Sequence, residues 1–238
     1  MRETADLFDQ ITGAWVGVID LKGREQLLDS VVYTGPWAGR PSPASSGAGA
    51  QMVTTDVGPG RTWWWSDGTY WRPLNGRVLI SNQFGTNAAP IATITGNGLG
   101  QTAALPVIPV IPANMLIPGA IIGNYSRAVK SGAVAGVSYL GPGVGPAQNP
   151  GGALAPILLG NSLPINANAV GQGAAFAQVL STTVCQSPSY SGFAGAAAGY
   201  GEAAIDLTVP NYVNFQVNNS LVAGDSLAIV TFTTWLEF

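Results

Sequence analysis

The sequence predicts an all-β fold: a C-terminal sandwich or barrel, preceded by a small aromatic β-meander and a short, partly helical N-terminal arm. Three observations carry this expectation. The 238 residues include 32 Gly and 17 Pro, the two worst helix formers. From residue 81 onward, short apolar runs alternate with turns rich in Gly, Pro, Asn and Ser. In between, the hairpin dipeptides Asp67-Gly68 and Asn75-Gly76 punctuate runs of aromatic residues.

Residues 1–33 form the arm. Glu3, Asp6, Asp9 and Gln10 flank Leu7, Phe8 and Ile11, which predicts a helix up to Gly13. Residues 15–20 alternate as a strand, Lys22-Gly23 reads as a turn, and 24–29 suit one more helical turn. Glu3, Asp6, Asp9, Asp20, Glu25 and Asp29, with Asp56 beyond them, are most of the acids in the chain. The segment is either a docking arm for another protein or an ordinary extension.

Residues 34–80 are a linker and a small aromatic module. Pro36, Pro41 and Pro43 make the front of 35–50 extended, and its Ser/Gly half is flexible in isolation. Strands are expected at 51–57, 61–66 and 69–74, with 77–80 as a further strand of the meander. Trp63, Trp65, Tyr70 and Trp71 lie among Arg61, Arg72 and Arg77. Such a cluster can bind sugar or single-stranded nucleic acid. It can equally be the core of a module too small for aliphatic residues alone, and the core assignment is preferred.

Residues 81–238 are the third region. Strands are expected at 91–95, 104–111, 121–128, 133–139, 155–159, 174–183, 203–209, 212–217 and 226–237. The last is apolar on both faces, with Leu227, Ile229, Thr231, Thr233 and Trp235 on one and Ala228, Val230, Phe232, Thr234 and Leu236 on the other. A strand of this kind is covered twice, once by the core and once by a neighbouring subunit. The Gly-rich 192–201 reads as a packed loop, and the Gly-Pro-Gly and Asn-Pro-Gly-Gly elements in 141–152 lack the lysine of a phosphate loop.

Charge narrows the function. Charged residues are 9% of the chain, against roughly 25% in an average soluble domain. No Asp or Glu occurs between Asp67 and Glu202, where the only charges are Arg72, Arg77, Arg127 and Lys130. A surface this poor in charge predicts cover by copies of the chain or by other subunits. With no His and only Cys185, ordinary zinc sites, disulfide frameworks and His-based triads are excluded. The lone thiol suits a reducing compartment. Catalysis would fall to Glu202, Asp206, Asp225 or Glu237, each of which reads better as a turn or solvent-face acid. No catalytic, cofactor-binding or metal residue is assigned, and no enzyme is expected; a polysaccharide depolymerase is the reading these acids would have to support. Lys and Arg are too scattered for nucleic acid. Pro106, Pro109, Pro112 and Pro118 break the longest apolar stretch, so no membrane insertion is expected, and Met1-Arg2-Glu3-Thr4-Ala5-Asp6 lacks the form of a signal peptide.

Two stretches carry a family resemblance. Thr34-Gly35-Pro36-Trp37-Ala38-Gly39-Arg40-Pro41, through Thr55-Asp56-Val57-Gly58, to Trp65-Ser66-Asp67-Gly68-Thr69-Tyr70-Trp71-Arg72-Pro73-Leu74-Asn75-Gly76, resembles the small β module of bacteriophage tail-fibre and fibre-like virion proteins. Ile111-Pro112-Ala113-Asn114-Met115-Leu116-Ile117-Pro118-Gly119, with Ala223-Gly224-Asp225-Ser226, is similar to the jelly-roll domain that often follows that module. The resemblance implies a jelly-roll-like sandwich over 81–238 and a non-enzymatic virion protein, made in the host cytoplasm, that assembles as a homotrimer. A tail fibre for host attachment is the first expectation, and a capsid decoration protein or head fibre the alternative. The implied partners are its own copies, other virion proteins of the tail or capsid through the N-terminal arm, and a host surface glycan or protein.

Overall fold

The computed structural model describes residues 4–9, 14–20, 31–95, 101–132, 138–148, 157–158, 163–165, 168–189, 199–218 and 224–238. The protein is all-β. It divides into two compact units, residues 1–56 with 61–74, and 57–60 with 75–238.

The first unit opens with a two-stranded antiparallel ribbon, β1 (Thr4–Asp9) and β2 (Ala14–Asp20). The helix expected around Leu7 and Phe8 is therefore a strand. A helix of that length is marginal in water, whereas β2 offers a complete partner ladder rich in β-propensity (Trp15, Val16, Val18, Ile19). The turns expected at 22–29 lie outside the described residues.

A four-stranded sheet follows, ordered β3 (Val31–Gly35), β4 (Gln51–Thr54), β5 (Thr62–Ser66) and β6 (Trp71–Pro73). β3 and β4 run parallel, so the chain between them must cross over, and residues 36–50 are that crossover. They are not the loose connector their composition suggests. Trp37–Gly39 is a turn of 3-10 helix, and Pro43–Ser46 is a short helix α1, capped where Ser42 Oγ accepts from Ser45 N at 3.1 Å. Trp71 Nε1 donates to Pro41 O at 2.9 Å and Ser66 Oγ to Pro43 O at 3.2 Å, which ties the crossover to the sheet.

β5 and β6 form the hairpin announced by Asp67-Gly68. Asp67 Oδ1 accepts from Thr69 N at 2.8 Å and Tyr70 N at 2.6 Å, and Gly68 takes the positive φ of 93°. Asn75-Gly76 is a turn but not a hairpin. The strand after it, β7 (Arg77–Phe84), does not join the aromatic meander. It pairs with a strand near the other end of the described chain, from Arg77 opposite Glu237 to Phe84 opposite Thr231.

The second unit contains two antiparallel sheets. The larger is ordered β17 (Gly199–Ala204), β16 (Val184–Ser189), β15 (Val170–Ser181), β11 (Ile121–Ser131), β19 (Ser226–Glu237) and β7, with β8 (Ala92–Thr95) also on β19. The smaller is ordered β10 (Val110–Ile111), β18 (Asn211–Asn218), β12 (Ser138–Gly145) and β13 (Ile157–Leu158); β9 (Gln101–Thr102) flanks β18 and β14 (Leu163–Ile165) flanks β12. Phe215 of β18 meets Phe232 of β19 edge-to-face at 5.8 Å, and with Ile111, Ile122 and Leu236 they are wholly buried between the sheets.

Strand 226–237 has the bounds its pattern predicts. Other expectations shift. Prolines 106 and 109 leave only β10 where 104–111 was expected. The strand expected at 203–209 ends at Ala204, and β14 and β16 were not foreseen. Gly-Pro-Gly at 141–143 lies within β12; Pro142 falls where that flank passes from β14 to β13, so its missing N–H costs no ladder bond there.

The largest correction concerns the faces of β19. Its pairing with β11 steps from Arg127–Thr231 to Ala128–Ile229, leaving Val230 as an extra, bulged residue. Every side chain beyond it changes face. Leu227, Ile229, Phe232, Thr234 and Leu236 all point into the core, and Thr231, Thr233 and Trp235 point out. The strand is thus not uniformly apolar on both faces. Its outward tryptophan is covered within the chain, by Phe176 at 5.9 Å and by the Arg77 guanidinium at 4.3 Å.

Candidate functional site

The aromatic run of β5 splits by strand alternation. Trp64 points inward and is fully buried, whereas Trp63 and Trp65 point outward and are 48% and 36% exposed. Trp64 Nε1 donates to Thr54 Oγ1 at 2.9 Å, and its ring meets Trp37 at 4.8 Å, tilted by 50°. Trp37 N in turn donates to Asp56 Oδ1 at 2.7 Å, and the Arg40 guanidinium stacks on the Trp37 ring at 3.9 Å. Trp71 completes this buried aromatic core with Met52. Of the four aromatics expected in the core, Trp71 is there and Trp63, Trp65 and Tyr70 are exposed, because strand alternation turns Trp63 and Trp65 outward; sequence reasoning missed the rest of the core, Trp64, Trp37 and Arg40. A tryptophan inside an apparent Pro/Gly/Ser linker was the available signal.

The outward face carries the candidate site. Trp63 and Trp65 stand two residues apart on one strand, about 7 Å in the strand direction. Register places Val53 beside Trp63, and Gln51 and Arg72 on either side of Trp65. Arg72 does not lie over an aromatic ring. Its Nε donates to Asp67 Oδ2 at 2.6 Å, which fixes the guanidinium at the edge of the face. Tyr70 is exposed in the adjoining loop, and Arg61 is exposed just before β5. Arg77 is elsewhere, in the second unit, where it also pairs with Glu237 at 3.7 Å. The face can offer flat apolar planes with a fixed cation beside them, an arrangement suited to stacking and not to bond-breaking.

Asp67 links this face to pH. Its hydrogen bonds from Tyr70 N, then from Arg72 and Thr69 N, hold the carboxyl below its ordinary pKa. A depressed pKa adds stability that is fully present above the ordinary value and is lost as pH falls through the folded one. The β5–β6 hairpin is expected to loosen only below about pH 4. Tryptophan fluorescence of Asp67→Asn, followed from neutral pH into acid, is expected to lack this acid step and to be weaker at neutral pH.

The four carboxylates of the second half are dispersed. Glu202 is exposed on β17, and Glu237 accepts from Trp235 Nε1 at 2.9 Å on β19, with three strands between them. Asp206 accepts from Thr208 Oγ1 at 2.6 Å and Thr208 N at 2.8 Å, bonds that lower its pKa and mark a capped turn. Asp225 is buried, with Oδ2 at 3.2 Å from Lys130 Nζ. Lys130 was not singled out by sequence reasoning, although an isolated lysine in an apolar strand pattern was visible. Cys185 is buried opposite Val179, and burial pushes its thiol up to about 11. Among the described residues no three His, Cys, Asp or Glu side chains lie close enough to hold a metal, and no helix is long and apolar enough to cross a membrane. No protein-family model, no curated protein and no solved structure matches the chain.

Proposed function

We propose that this chain is a structural protein of a bacteriophage particle, a homotrimeric tail fibre whose second unit is a jelly roll. One observation supports it above the others: the interval from residue 68 to 201 holds no carboxylate, yet its described residues expose Phe84, Val107, Val110, Val170, Phe176 and Leu180. Such a surface is suited to life inside an assembly. The resemblance of residues 34–76 and 111–119 to fibre-like virion proteins directs that assembly to a virus, and the two antiparallel sheets of the second unit suit a jelly roll. On this reading residues 1–33 dock to the particle, and the outward indoles of Trp63 and Trp65 meet a host surface glycan. The protein performs no chemistry.

The test is localisation. Particles of the virus encoding this chain are labelled with an antibody to residues 1–30 and imaged by electron microscopy. Label at the tail is expected. Label over the head would replace the tail fibre by a capsid decoration protein or head fibre, and particles without the protein would remove the virion assignment altogether.

A further inference from the structure

The larger sheet of the second unit has one face toward the core and one face toward solvent. Strand register brings Leu79 of β7, Trp235 of β19, Gly123 of β11 and Phe176 of β15 into a single row across the outer face. Gly123 has no side chain there because a Cβ would enter the Trp235 ring, so the indole lies low against the sheet. Phe84 and Val170 extend the apolar surface, at 69% and 52% exposed, with Phe176 at 42%. For one face of one sheet this is a large exposed apolar surface.

Its polar members ask little of water. Thr233 Oγ1 donates to Asn82 Oδ1 at 2.8 Å, and Tyr125 Oη to Gln172 Oε1 at 3.4 Å, both across neighbouring strands. Arg77 and Glu237 pair with each other at the rim. Polar groups already bonded to one another cost little to bury. Gln178 is exposed on the same face, and Arg127, in its middle, has a shielded Nε with no hydrogen-bond acceptor. An acceptor brought by a neighbouring molecule would complete it.

We infer that this outer face is where copies of the chain meet. It has the composition of an interface core, with aromatic residues and arginine present and Lys and Asp absent among its described residues. Five adjacent strands, β7, β19, β11, β15 and β16, at the ordinary strand spacing and rise give a surface of about 24 Å by about 30 Å. That is on the order of 700 Å², close to the roughly 800 Å² per partner of a stable interface. The occupant is a second copy, because a near-neutral face suits another near-neutral face and offers no field to attract a charged partner. The inference deepens the trimer proposed above and names the surface that holds it.

The experiment is the mass in solution, by light scattering, of the full chain and of the variants Phe176→Glu, Val170→Glu and Val107→Glu. Val107 is exposed in the segment between β9 and β10, off this face. The unaltered chain is expected at three times 24.3 kDa, and Val107→Glu with it. Phe176→Glu and Val170→Glu are expected at one third of that mass, each with an unchanged far-ultraviolet spectrum. Two separate positions guard against one variant failing to fold. If the unaltered chain is a trimer and both face variants remain trimers, this face is overturned while the trimer stands. A monomeric unaltered chain overturns both, and leaves the virion assignment to the labelling experiment.

Discussion

Asp225→Ala lowers the stability of the second unit by about 3–5 kcal/mol, the cost of leaving a buried charge without its counter-charge. Lys130 and Asp225 side chains are 0% and 1% exposed, in a unit otherwise held by aliphatic and aromatic packing. The local backbone is shaped around the acid. Gly132 has φ of 137°, and a Cβ there would overlap the Asp225 carboxylate, so Gly132→Ala is expected to be destabilising too, by about 1–3 kcal/mol. Removing both charges together, as Lys130→Met with Asp225→Leu, is expected to recover most of the loss, because the pair itself costs much of what it returns. The chain has two units, so the unfolding probe must belong to the second. Cys185 supplies it, since a buried thiol that stays protonated at neutral pH reacts only when β15 and β16 open. Urea-dependent labelling of Cys185 should shift to markedly lower urea in Asp225→Ala. A shift worth less than about 1 kcal/mol would place the pair among solvated surface bridges.

Trp64→Ala is expected to cost the first unit about 3–5 kcal/mol, and Trp63→Ala less than about 1 kcal/mol. The two residues are neighbours of identical type, so only their face differs. Trp64 fills the space against Trp37 and donates to Thr54 Oγ1, and its removal leaves a cavity and takes one of the hydroxyl's hydrogen bonds. Trp63 ends in solvent. Amide hydrogen exchange of β4 and β5 reads the first unit alone and should show much faster exchange for Trp64→Ala only. Equal effects would mean that the outward face is also structural, which would remove Trp63 and Trp65 from any ligand site.

Strand content was legible where local chemistry decides it. Asp67-Gly68 foretold a hairpin because the Asp side chain and the Gly φ both act within four residues. The bounds of β19 followed from the unbroken apolar and Thr run from Leu227 to Leu236. What was not legible depends on distant partners. Asn75-Gly76 has the same local signal as Asp67-Gly68, but β7 is claimed by β19. The bulge at Val230 has no residue of its own to announce it, so every face assignment beyond it inverted. Residues 35–50 have linker composition, and their order comes from acceptors at Pro41 and Pro43 that only the folded sheet fills. For the candidate site, the cluster at 63–72 was visible, but which indoles face water required the strand register.

The place of β19 between β11 and β7 bears on how the chain is made. Asn82 of β7 finds its partner Thr233 only 151 residues later, and β8 waits for the same strand. While a ribosome is still copying that interval, both segments emerge with open edges and nothing to cap them. The sheet β3 to β6, by contrast, draws its strands from neighbouring sequence and can close early. Synthesis therefore passes through a long stage in which a finished first unit is tethered to an incomplete second one, and a chaperone or a low temperature during expression should raise the yield of correctly joined molecules.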